Sequence, residues 1–267
     1  MRVRVRGIHT TALTHLLRLR DGFEVVHPSP SIRRRFDDGT DFDVDEPDVE
    51  IEDSDDRLGI VVHSTSLTDS GSARDEVVEA IGSIADGVFV WDDPTPRGSI
   101  YNAVVDDTLG SGAVISLSDD EEGFIPYSNA DGHIGEGDCL RVQVVEPFAP
   151  WESKNPVVST HLRVPGALCE LRRGENGVDV EGDEGTARQM ARMTEMLSAE
   201  IPPNWGVRYT RNAPDMDMGT LENALESRVR RAERIADALE DAPSPDDTGD
   251  APLHIVSPER TVWIWFG

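Results

Sequence analysis

The sequence predicts a mixed α+β chain: a small N-terminal α+β domain over residues 1–92, an OB-type β-barrel over 98–173, and an α/β domain over 174–267. Three observations predict it. Helix-period and strand-period segments alternate through the first third of the chain. Five short apolar segments separated by turn residues follow, at the spacing of a small barrel. A long amphipathic helix dominates what comes after. At 267 residues the chain exceeds one domain of ~100 to 150 residues, which allows two or three compact units.

Residues 2–6 alternate Arg and Val, which puts Val3 and Val5 on one face of a strand. A helix over 10–20 carries Leu13, Leu16 and Leu17 on one face and stops at Gly22, before an apolar strand at 23–26. Residues 36–48 form an acidic, turn-rich connector. Strands follow at 48–51 and 58–63, a helix at 73–85 and a strand at 87–91. Pro94 and Pro96 mark a boundary at 92–98. The five barrel segments are 99–105, 112–117, 123–127, 139–145 and 157–164. Residues 186–199 then form an amphipathic helix with Met190, Met193, Met196 and Leu197 inward, ended by Pro202 and Pro203. A strand at 205–211 precedes a long helix over 221–239, with Thr220 placed to cap it and Leu221, Ala224, Leu225, Ala232, Ile235, Ala236 and Leu239 as its core stripe. A Pro/Asp linker at 242–250 leads to closing strands at 253–256 and 261–266. The last of these is apolar from Val262 to Phe266 and needs cover. Either Trp263 and Trp265 pack back onto the third domain, or the chain is cut before a further domain; the second reading is favoured.

Asp and Glu total 52 against 25 Lys plus Arg, a formal net charge of −27. Hydrophobic residues still make up 37% and recur in blocks, which excludes an acidic disordered tail. Of the basic residues only Lys154 is Lys. Carboxylate excess almost without lysine is the surface chemistry of a halophile, whose molar salt screens repulsion to about 3 Å. No broad positive field attracts nucleic acid to such a chain. Any affinity for RNA has to come from stacking, base-edge hydrogen bonds and a few placed arginines. Cys139 and Cys169 make neither a metal motif nor a disulfide framework, as in a reducing cytosol. No run of 18 uncharged apolar residues occurs, so neither membrane spanning nor secretion is indicated and the expected location is cytoplasmic. The seven His have no metal spacing, and neither a G-x-S-x-G elbow nor a Walker loop is present.

Gly98-Ser99-Ile100-Tyr101, Gly112-Ala113-Val114-Ile115 and Gly123-Phe124-Ile125-Pro126 open three successive barrel strands, and Ser153-Lys154 precedes Ser159-Thr160. Glu181-Gly182-Asp183 then comes ahead of a helix, and Trp205-Gly206-Val207 lies on a strand before the long helix. In this order the phrases resemble the S-one-type domain and the 5′-end sensor region of the bacterial ribonuclease E/G family, over residues 98–267. The whole chain, with its opening 2–8 and Thr10-Thr11-Ala12-Leu13, is closer still to the archaeal AU-rich-RNA-binding ribonuclease family. The resemblance implies an endoribonuclease acting on AU-rich loops and ribosomal-RNA precursors, or a non-catalytic RNA-binding or ribosome-assembly factor that keeps the same platform. Two departures matter. The family's Arg-Thr pair, which grips a 5′ monophosphate, falls on Thr210 and Arg211 in reversed order, and the chain stops before any nuclease or C-terminal domain of these relatives.

By this resemblance Phe124 presents a stacking face, Tyr101 and Tyr127 flank it, Lys154 supplies a phosphate contact and Arg211 reaches a second phosphate. Val114 stands at the family's other aromatic position and cannot stack. Arg228, Arg230, Arg231 and Arg234 are read as i,i+4 partners of helix carboxylates, and Arg33, Arg34 and Arg35 as an equally ordinary basic trio. Asp183, Asp215 and Asp217 are read as acidic clustering by composition and not as a magnesium site. No catalytic residue and no metal ligand is assigned. Hydrolysis would call for a divalent metal such as Mg2+.

Overall fold

The computed structural model describes residues 1–36, 47–64, 72–83, 87–180, 184–246, 251–257 and 260–266. Most of the acidic connector within 36–48, the Glu181-Gly182-Asp183 phrase and the end of the 242–250 linker lie outside the described residues. In chain order the elements are β1 Arg2–Val5, α1 Thr10–Arg18, β2 Glu24–Val25, α2 Pro30–Arg35, β3 Val49–Asp53, β4 Gly59–Ser64, α3 Ser72–Gly82 and β5 Val88–Asp92. Next come β6 Ile100–Thr108, β7 Gly112–Ser116, β8 Glu122–Pro126, β9 Cys139–Glu146, β10 Val157–Ser159, β11 Arg163–Val164, β12 Cys169–Arg173 and β13 Gly177–Val180. The chain continues with α4 Glu184–Thr194, β14 Trp205–Tyr209, α5 Met218–Asp241, β15 Leu253–Val256 and β16 Arg260–Phe266. The protein is thus mixed α+β. It folds as two compact units, one formed by residues 1–97, 146–155 and 259–267, the other by 98–145 and 156–258.

The first unit is a six-stranded sheet in the order β2-β1-β3-β4-β16-β5. Strand period puts Val3, Val5, Ile51, Ile60 and Val62 in its core, where Leu13 and Leu17 of α1 join them. Ser29 caps α2, accepting from the Ile32 amide, and Pro30 begins it, a start the sequence reading had not marked. The closing strand is the main departure. β16 does not cover the C-terminal helices; it fills the gap between β4 and β5, with Ile264 opposite both Ile60 and Val90. Trp263 is buried there, its indole N–H donating to Asp93 at 3.0 Å. The cover this apolar strand requires therefore comes from a sheet nearly two hundred residues earlier, a pairing that no local pattern announces.

The second unit begins with the barrel. Strands β6, β7, β8, β10 and β9 are paired in that order, and β6 with β9 closes the ring. Five antiparallel and parallel edges close on a core of Tyr101, Ala103, Val105, Ala113, Ile115, Ile125, Val142, Val144 and Val158. The segment read as one strand over 157–164 is two: β10 ends the barrel at Ser159, and β11 starts a small sheet ordered β11-β12-β14-β13. α4 and α5 pack on that sheet around Met190, Leu171, Val207, Leu221, Leu225 and Ile235. The cap of α5 is Asp217, which accepts from the Thr220 amide at 3.1 Å, and Thr220 sits in the first turn, donating its hydroxyl to the same carboxylate at 2.7 Å. Met196 lies beyond the end of α4 and is exposed instead of inward. β15 adds to the barrel beside β6.

Candidate nucleic-acid interface

Along β8 the side chains alternate. Gly123 and Ile125 are buried, while Phe124 is only partly so and stays out of the barrel core. Its cross-strand partners are Val114 on β7 and Val157 on β10, both partly exposed on the same outer face. The ring lies over Gly112: a Cβ there would stand 2.7 Å from Phe124 Cζ and 2.3 Å from the Ile125 carbonyl oxygen. Glycine at 112 thus lets the phenyl ring settle on the sheet. Tyr127 follows at the end of β8. It is 41% exposed and its hydroxyl donates to the Leu109 carbonyl at 2.8 Å, which ties it to the hairpin that carries Gly112. Tyr101 is different. It is 4% exposed, part of the barrel core and edge-on to His254 at 5.1 Å, so it presents no face to a ligand.

Lys154 belongs to the first unit, where its ammonium donates to Asp55, lies 3.7 Å from Glu152 and stands 4.8 Å over the Phe148 ring. The hydrogen bond to the Asp55 carboxylate raises its pKa above the usual lysine value. Arg211 is exposed in the turn that follows β14, next to Thr210, whose buried hydroxyl has no partner among the described residues.

The arginines of α5 divide. Arg230 pairs with Glu226 at 3.3 Å as an i,i+4 neighbour. Arg228 and Arg231 do not face water: they are 2% and 1% exposed, and Arg228 donates to the Pro165 carbonyl. The sequence reading missed this because a helical wheel shows which residues share a face but not what covers it. Arg35 donates to Thr11 at 2.7 Å. Among the described residues no three His, Cys, Asp or Glu side chains gather closely enough to hold a metal ion. Asp217 is taken up by the helix cap, and Asp183 lies outside the described residues.

One feature escaped the sequence reading altogether. Where the barrel meets the small sheet, a cleft of about 470 Å³ opens between Asn129, Ser159 and His161 on one side and Arg163, Arg172 and Arg173 on the other. The signal was present as Arg-Arg at 172–173, but nothing local brings Arg163 beside them.

Fold and face together define a mixed α+β protein built around a closed five-stranded barrel, with a glycine-seated aromatic on the barrel's outer surface. No family model matches the chain. Curated relatives do. Over 267 residues, all of this chain and 54% of the relative, it is 39% identical to a Halobacterium salinarum protein named "Probable ribonuclease FAU-1". A protein of the same name from Natronomonas pharaonis is 40% identical over 271 residues, again covering 100% of this chain and 54% of the relative. One from Thermococcus kodakarensis is 29% identical over 271 residues, 99% of this chain and 52% of the relative. The chain belongs to the family of these FAU-1-type proteins. It spans about half the length of the curated relatives it matches.

Proposed function

We propose that this chain binds RNA on the outer face of its barrel and serves a ribonuclease. In this reading the barrel is an OB fold of the S-one type, followed by a region like the ribonuclease E/G sensor. An unpaired base stacks on Phe124, Tyr127 borders it, and Tyr101 supports the face from inside. Lys154, after exchanging Asp55, and Arg211 hold backbone phosphates. The observation that carries the reading is the Phe124 ring seated on Gly112, among Val114 and Val157, partly exposed and outside the barrel core. Aromatic stacking suits a chain of net charge −27, since it needs no positive field and survives salt that weakens phosphate contacts. The relatives' name supports a ribonuclease as the activity of the whole protein, which this reading takes to be an endoribonuclease. Its substrates would be single-stranded or AU-rich loops and precursor ribosomal RNA, processed or degraded in the cytoplasm.

The test is binding of an AU-rich hairpin in a KCl series. Phe124→Ala should weaken binding by about 1 to 3 kcal/mol at every salt concentration, because the lost term is stacking. An unchanged affinity with the fold intact would refute the stacking face. Cleavage of the same labelled hairpin that stops on adding a chelator marks Mg2+-dependent hydrolysis. Retarded but uncut RNA instead points to the RNA-binding or assembly-factor reading.

A further inference from the structure

The cleft between the barrel and the small sheet gathers charge in an unusual way for this chain. Arg163 and Arg172 are direct partners across β11 and β12, and Arg173 follows next in sequence. Like charges set opposite one another across an antiparallel ladder destabilise it. Three of the chain's 25 basic residues nonetheless line one cavity, together with Asp131 and Glu175.

Three carboxylates stand at the cleft against the three arginines, but they are paired unevenly. Glu170 is shared, 2.5 Å from Arg172 and a loose 3.8 Å from Arg163, and Glu175 lies 3.5 Å from Arg172. Asp131 is engaged by His161 at 2.9 Å. Arg173 has no ion pair among the described residues, and the Arg163 side chain is 43% exposed. The frame is rigid. Buried Gln143 grips the Arg163 backbone from both sides, its amide donating to the carbonyl at 3.0 Å and its oxygen accepting from the N–H at 2.8 Å. The Arg173 amide donates to the Leu162 carbonyl at 2.9 Å. A positive φ of 84° at Gly174 turns the chain away directly after Arg173.

Strand β10 runs from the aromatic face to the cleft. Val157 is the β10 partner of Phe124, and Ser159, which lines the cleft, shares that strand face two residues on, about 7 Å away. Arg211 is elsewhere. β12 and β14 pair Arg173 with Trp205 and Cys169 with Tyr209, so the strand alone puts about 13 Å between Arg173 and the end that carries Arg211.

We propose that the cleft formed by Ser159, His161, Arg163, Arg172 and Arg173 is a phosphate-binding site, holding the backbone of a single-stranded nucleic acid whose neighbouring base rests on Phe124. Its volume suits a group of nucleotide size. Forked guanidinium donors match phosphoryl oxygens, and His161, held between Ser159 and Asp131 by its two ring nitrogens, walls the cleft beside them. The placement deepens the RNA-binding reading above and rests on it.

The test uses the full chain and an oligouridine of about twelve nucleotides, in 5′-hydroxyl and 5′-monophosphate forms, with affinity read by fluorescence anisotropy across a KCl series. Arg173→Gln should bind the 5′-hydroxyl strand about three- to ten-fold more weakly at the lowest salt and shed about 0.7 from the slope of log affinity against log salt. Arg163→Gln should move both quantities the same way, and guards against a folding defect in the first variant. A loss confined to the 5′-monophosphate strand would keep the phosphate site but assign it to a chain end. If both variants keep wild-type affinity and slope while Phe124→Ala binds weakly, the cleft is not the phosphate site and the RNA reading stands. If the wild-type chain retains neither oligonucleotide, the RNA reading fails and the cleft proposal with it.

Discussion

Tyr209 lies on β14 with no exposed surface, its hydroxyl 3.0 Å from Thr194 Oγ1. Burial pushes its phenol up to about 12 from the ordinary 10. The native state therefore holds the phenolic proton more tightly than the unfolded chain does. Its contribution is complete below about pH 10 and is lost as pH rises toward 12, roughly 2 to 3 kcal/mol in all. Urea unfolding on the two sides of that window should show the loss, and Tyr209→Phe should flatten it; an identical slope in the variant would mean another group titrates. Tyr101 and Phe124 make the complementary point about recognition. Both are strand aromatics, yet one fills the barrel and the other lies on it. Alternation along β8 places Phe124 outward, since Ile125 next to it points in. The inward position of Tyr101 follows from the closure of β6 onto β9, which only the assembled ring supplies.

At the level of elements, β16 shows what a strand gains from its neighbours. Ile264 is fully buried with a strand on either side, and its replacement by Ala should cost about 2 to 5 kcal/mol through lost burial and a residual cavity. Phe89 on the edge strand β5 is 51% exposed, so Phe89→Ala should stay within about 0.5 kcal/mol. Comparable denaturation midpoints for the two variants would mean β16 does not hold the sheet. Helices were more legible than strands. The Leu13, Leu16, Leu17 face of α1 and the Leu221 to Leu239 stripe of α5 are written in their own spacing and are buried as expected. The division of 157–164 into β10 and β11 was not, because both pieces carry strand-type residues and differ only in which sheet they join.

For the molecule as a whole, charge sets the working conditions. With a net −27 the compact state suffers self-repulsion that salt relieves. The thermal midpoint should therefore climb as KCl is raised from about 0.1 M toward 2 M. A midpoint that is flat or falls would remove the halophilic reading of the composition. The helix faces and the resemblance that led to the FAU-1-type family were legible in the sequence alone, because each depends on residues a few positions apart, whereas the side of β8 that Phe124 takes was left open between barrel filling and an outward face. The arginine cleft, the burial of Arg228 and Arg231, and the insertion of β16 between β4 and β5 were decided only in the folded chain. These features depend on contacts between distant segments, whose closure is stabilised by the joint packing of many residues and leaves no mark in the local order of any one segment.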